Sequence, residues 1–145
     1  MKTIFTVAFA LYAAAVSAET PTVTEFQEIP AKYCGVYYLH EKTLPDVGWT
    51  REIFSPAKPF ASIEARRITL NGGKRLKVTT IRQMVAPGLN NGQPQLIIHF
   101  EKTDFYWGIS EKPDSKFAII QTANNPPRLE PAQMQATIFL VSQKQ

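Results

Sequence analysis

Alternation, not helical periodicity, dominates the pattern of hydrophobic and polar positions along this chain. Across Gln95–Phe100, Leu96, Ile98 and Phe100 fall on one side and Gln95, Ile97 and His99 on the other. After a turn at Lys102-Thr103-Asp104, Phe105, Trp107 and Ile109 alternate with Tyr106 and Gly108. A second turn at Glu111–Ser115 leads into Phe117–Thr122. Period-two patterns of this length predict strands that bury one face. Upstream, Tyr33–Leu39 is rich in aromatic and branched residues and predicts a first strand. Ser62–Leu70 and Arg75–Val85 flank Asn71-Gly72-Gly73-Lys74, and Asn-Gly between branched runs predicts a hairpin. In the first arm, Ile63 and Ala65 lie in one phase and Ile68 and Leu70 in the other, which predicts a bulge at Arg66-Arg67. In the second arm, Leu76, Val78, Thr80 and Met84 share a face.

The connecting segments complete the picture. Residues 19–32 form a polar lead-in, with a helical turn expected around Thr24–Glu28. Residues 41–61 carry Pro45, Pro56, Pro59 and Gly48, and predict a long crossing loop with a short edge strand at Trp49–Phe54. Trp49, Phe54 and Phe60 then either fold over a barrel mouth or form a small satellite core. Residues 86–94 are a turn-rich loop. Pro131 suits the first turn of a short C-terminal helix, while residues 137–142 fit helix and strand equally well. Short turns between successive strands specify a meander, not a βαβ unit. The expected fold is therefore mainly β: an antiparallel up-and-down barrel or half-barrel of about six to eight strands.

The N-terminus changes the picture of where the protein works. Lys2, the uncharged run Ile4–Ala15 and the small residues Val16-Ser17-Ala18 make up the three parts of a secretory signal peptide over residues 1–18. The uncharged run is short for a membrane span, which takes roughly 20 residues. Residues 19–145 then form one β-barrel-like domain, secreted to a periplasmic or extracellular compartment. Cys34 is the only cysteine, so no internal disulfide exists and packing must hold the fold.

Charge and chemistry narrow the function classes. The net charge of +4 is mild, and argues against a nucleic-acid binder. Between Arg51 and Arg82 there are eight basic and two acidic residues. Arg66, Arg67, Lys74, Arg75, Lys77 and Arg82 gather on the Asn-Gly hairpin, either as a solvated face protecting strand edges or as a patch for an acidic partner. Catalytic candidates are few. His40 and His99 are the only histidines, and six residues of extended chain put His40 about 20 Å from Cys34. No His-x-x-x-His spacing, phosphate loop or Ser nucleophile motif is present, so neither a metal nor another cofactor is expected and an enzyme is not. The apolar inventory points to binding: Tyr37, Leu39, Val78, Ile98, Phe100, Phe105, Trp107, Phe117 and Ile119 share the inward face when each strand is read in phase. An aromatic-lined interior suits an apolar ligand, or else fills a solid core.

The order of these features resembles the lipocalins. Lys32-Tyr33-Cys34-Gly35-Val36-Tyr37-Tyr38 is similar to their first-strand signature, Gly-x-Trp followed by an aromatic, with Tyr37 in the Trp position. Ala61–Val78 resembles the second and third strands, and Thr103-Asp104-Phe105 resembles the Thr-Asp-Tyr signature. Asp114–Ile120, followed by Glu130-Pro131-Ala132, resembles the last strand and the helix packed outside the barrel. The likeness covers most of residues 32–136. The family's Trp and disulfides are absent, and Arg128 is only a loose match to its Arg after the last strand. The resemblance implies an exported binding protein for a small apolar or amphipathic ligand. The other class to weigh is an exported protein-interaction module, an inhibitor or envelope accessory, working through Arg66, Arg67 and Arg75.

Overall fold

Nine strands, all antiparallel, carry the described part of the chain. The computed structural model describes residues 20–45, 48–87, 90–103, 105–123 and 136–144. In chain order the strands are β1 (Thr22–Phe26), β2 (Gly35–Thr43), β3 (Arg51–Ile63), β4 (Arg67–Leu70), β5 (Arg75–Val85), β6 (Gln95–Phe100), β7 (Phe105–Lys112), β8 (Lys116–Ala123) and β9 (Thr137–Ser142). The proposed signal peptide and the predicted helix start at Pro131 lie outside the described residues.

From β2 onward every strand pairs with its sequence neighbours, and the last pairs with the first. β2 bonds to β3 on one flank and to β9 on the other, with Tyr38 opposite Ser142 and Thr43 opposite Ile138. The ring of eight therefore closes, which leaves the interior to side chains from alternate positions. β1 stands outside the ring. It pairs with Ile81–Val85 of β5 on the flank that β4 occupies at Arg75–Lys77.

Three sequence expectations are corrected. Thr22–Phe26 is strand, not a helical turn, because β5 extends past β4 and offers backbone donors and acceptors there. Residues 41–61 are not a crossing loop, since β3 runs from Arg51 and pairs with β2. Pro56 and Pro59 fit because β4 pairs only with Ala61–Ile63, so among the described residues the other flank of residues 51–60 needs no N–H. The phase change at Arg66-Arg67 is a complete chain reversal, not a bulge. Ile63 lies opposite Ile68, and the Glu64 N–H donates to the Arg67 carbonyl at 2.8 Å.

The Asn-Gly hairpin forms as expected, between β4 and β5. Gly72 (φ 109°) and Gly73 (φ 96°) make the turn, and the Leu70 N–H donates to Lys74 O at 2.7 Å. In β5 the shared face does not run through to Met84. A register shift between Val78 and Thr80 turns Ile81 inward and leaves Thr80 and Arg82 exposed. Residues 137–142, open from sequence, are strand β9, so Lys116–Ala123 is not the last strand of the barrel.

The two ends of the barrel differ. At one end lie the β3–β4 turn, the β5–β6 connection and the β7–β8 turn. The 3-10 turn Ala31–Tyr33 and Ile29 plug this end: Ile29 donates its N–H to Ala65 O at 2.8 Å, and Tyr33 is fully buried. Tyr37 and Tyr33 each pack on Phe117, with ring centroids 5.6 and 5.9 Å apart. The Tyr37 hydroxyl donates to Tyr33 O at 2.7 Å. Gln143, immediately after β9, donates from its amide to Lys32 O (2.8 Å), Cys34 O (3.2 Å) and Tyr37 Oη (3.2 Å). The residue that follows β9 is thus tied to the plug.

Candidate functional site

The opposite end of the barrel is the candidate site. It is bounded by the β2–β3 and β4–β5 connections, the β6–β7 turn, and the points where β8 ends and β9 begins. Beneath this rim the interior is aromatic. Phe60 stacks on Trp107 (5.9 Å, 16°) and packs on Phe139 (4.8 Å), while Phe100 meets Trp107 edge-on (5.6 Å, 89°). Trp107, Phe100 and Phe139 are buried, whereas Phe54, Phe60, Leu70 and Leu76 are only partly covered. A greasy surface therefore grades from rim to floor.

Polar groups are few here and well placed. The Trp107 indole N–H donates to Gln121 Oε1 at 2.9 Å, so the one polar atom of that ring is satisfied. Lys42 lies opposite Phe139 in the β2–β9 register, with its ammonium 6.0 Å from the ring centre. The Lys58 ammonium lies 4.0 Å from the centre of the Phe54 ring. Both cations sit against aromatic faces, a contact that attracts a cation to the ring quadrupole. An apolar recess of about 220 Å³ runs along β3 and β4 beside Phe60, Leu70 and Gly72, and reaches Val36 and Tyr37 of β2.

The residues read from sequence as ligand-binding divide three ways. Trp107 and Phe100 belong to this site. Tyr37 and Phe117 belong to the plug. Leu39, Val78, Ile98 and Ile119 are buried in the central core, and Phe105 is 42% exposed. Of the loop aromatics, Phe54 and Phe60 stand on β3 as part of the barrel wall, and Trp49 is exposed in the β2–β3 connection. Phe139, Lys42, Lys58 and Gln121 were not picked out from sequence. The Lys42–Phe139 contact is visible only once β9 is recognised as a strand beside β2, while Gln121 lies opposite Trp107 across β7 and β8 and Lys58 meets Phe54 within β3.

The basic hairpin is not one patch. Arg66 donates to Gln27 O and to Val78 O (3.4 Å), fastening the lead-in to the barrel. Arg67 and Lys77 lie directly opposite each other, and each has its own carboxylate: Glu64 at 3.0 Å and Glu101 at 3.7 Å. Arg75 is exposed near the β4–β5 turn. Arg82 pairs with Glu25 at 3.3 Å.

Cys34 is half-buried, its thiol directed at Ile29 O and Pro30 O. Burial, then the carboxylates of Glu28 and Glu64, pushes the thiol above its usual range, which disfavours the nucleophilic thiolate. His99 stacks on Tyr106 (4.4 Å) far along the chain from His40, which bonds Ser142. Among the described residues no three His, Cys, Asp or Glu side chains gather as a metal site. No described helix is long and apolar enough to cross a membrane.

Together the closed meander, the plugged end and the aromatic opposite end define the class: an eight-stranded up-and-down antiparallel β barrel with one strand outside the ring. No protein family matches this chain, and no curated protein or solved structure shows significant similarity to it.

Proposed function

We propose that this protein is an exported binding protein of lipocalin type, which takes a small apolar or amphipathic ligand at the aromatic end of its barrel. Export rests on the signal-peptide pattern of residues 1–18. The observation that supports binding most is the contrast between the two ends. One is sealed by Ile29, Tyr33, Tyr37 and Phe117, while the other presents partly covered Phe54, Phe60, Leu70 and Leu76 above Trp107. Partly covered aromatic and aliphatic side chains at one end of a closed barrel suit contact with an apolar ligand. One detail favours the lipocalin type in particular: Gly35-x-Tyr37 opens the first strand of the ring directly after a capping 3-10 turn.

Tryptophan fluorescence tests the reading. In a Trp49→Phe variant all emission comes from Trp107, which is 2% exposed and lies on the floor of the site. Titration with dodecanol, an uncharged amphiphile, is expected to give a saturable change in that emission. A flat titration with dodecanol, together with no lipid in organic extracts of the purified protein, would contradict it.

A further inference from the structure

The strand register places two lysines on the lining of the aromatic end. In an antiparallel pair, residues directly opposite each other project to the same side of the sheet. Lys42 of β2 lies opposite Phe139 of β9, which is buried and packs on Phe60. Lys58 of β3 lies opposite Leu39, a residue of the central core. Both lysines therefore stand on the inward face, at its upper margin. Their ammonium groups rest against that same lining, Lys58 at 4.0 Å from the centre of the Phe54 ring and Lys42 at 6.0 Å from that of Phe139.

Neither ammonium has a carboxylate partner among the described residues. The acidic groups nearby are mostly committed elsewhere: Glu41 to Arg51 at 3.8 Å, and Glu101 to Lys77 at 3.7 Å. Glu52 lies opposite Lys42, yet it is exposed and forms no ion pair with it. Lys74 and Arg75 at the β4–β5 turn, and Lys102 in the β6–β7 turn, add further cations to this rim, again without an ion pair among the described residues. A concave apolar surface ringed by excess positive charge attracts anions. An aromatic face holds an ammonium, but it neither neutralises the charge nor takes up the three N–H donors as a carboxylate does. Lower in the lining the Trp107 indole N–H is already committed to Gln121, so a polar head finds its donors at the rim.

We propose that the ligand of the aromatic end is an anionic amphiphile, a single apolar chain ending in a carboxylate. Lys42 and Lys58 take the carboxylate at the rim, and the chain lies on Phe54, Phe60 and Phe139. The proposal rests on the binding reading above and narrows its ligand class.

The experiment compares three probes with the same chain, dodecanoate, dodecanol and dodecylammonium, by Trp107 emission in the Trp49→Phe protein at neutral pH and low ionic strength. Dodecanoate is expected to bind about tenfold or more tightly than dodecanol, the scale of a hydrogen bond to a charged group, and dodecylammonium more weakly than either. The advantage of dodecanoate should shrink as salt is raised. In Lys42→Met with Lys58→Met, which keeps the apolar stems, the ratio of dodecanoate to dodecanol affinity is expected to fall toward one. Saturable dodecanol binding with dodecanoate no tighter would overturn the anionic head and leave the apolar site standing. A preference for dodecanoate that dodecylammonium matches, or that survives loss of both lysines, would overturn it equally. No saturable binding of any probe would remove the binding reading itself, and this proposal with it.

Discussion

Trp107→Ala is expected to be among the most destabilising single changes in this protein, by about 3–5 kcal/mol. The indole is 2% exposed and touches Phe60 and Phe100, and its N–H satisfies Gln121. Truncation removes the apolar contacts, leaves a void that a closed barrel wall relaxes into poorly, and strands the Gln121 amide oxygen. Urea denaturation should show a lowered midpoint with little change in slope. Trp107→Phe keeps most of the ring contact and loses only the indole donor and part of the volume, so it should cost clearly less. Equal losses in the two variants would mean that Trp107 is not packed as described.

Tyr37→Ala is expected to cost a similar amount, about 3–5 kcal/mol, for a different reason. Tyr37 is fully buried in the plug, edge-on to Phe117, and its hydroxyl both donates to Tyr33 O and accepts from Gln143. Tyr37→Phe separates the two contributions. It keeps the ring and removes the hydroxyl, leaving a buried carbonyl with a lost partner, at a cost of about 1–3 kcal/mol.

The same phenols set an alkaline limit. Burial pushes both Tyr33 and Tyr37 above the usual phenol range near 10, Tyr37 further than Tyr33. The folded state therefore keeps protons that the unfolded chain releases. The resulting stability is fully present below about pH 10 and is lost as pH rises above it. Denaturation midpoints measured across that range should fall in the wild type, and fall less in Tyr37→Phe.

Strands and turns were legible where their physics is local. Leu96, Ile98 and Phe100 alternate with Gln95, Ile97 and His99, although Gln95 and Ile97 prove to be buried as well, and Asn71-Gly72-Gly73 brings glycines with the positive φ values a tight hairpin needs. What was not legible depends on partners distant in sequence. Pro56 and Pro59 argue against a strand until it is known that β4 covers only Ala61–Ile63. Thr22–Phe26 has no strong pattern of its own and becomes a strand because β5 is long enough to pair with it. Ile138–Val141 is ambiguous in isolation, and its choice is made by the two flanks of β2 and β8 between which it closes the ring. The same holds for the site. Trp107 stood out by its phase in the strand alternation, but Phe139 and Lys42 meet only through closure of the last strand onto the first.

The closure also explains how one inward face serves two purposes. Tyr37 and Phe117 were expected to line a pocket, yet they lie beside the 3-10 turn and seal an end. Leu39, Val78, Ile98 and Ile119 form the solid middle. Toward the opposite rim, Phe54, Phe60, Leu70 and Leu76 remain partly uncovered. In a small barrel with no disulfide, most of the lining must be core, and the surface available for a ligand is confined to one end.

The most direct measurement is a backbone and indole NMR titration with dodecanol, read residue by residue. Saturable shifts are predicted at Phe60, Leu70, Phe139 and the Trp107 indole, with Ile29, Tyr33 and Phe117 unmoved. Shifts centred on the plug, or no saturable shift at any residue, would contradict a barrel that is sealed at one end and takes its ligand at the other.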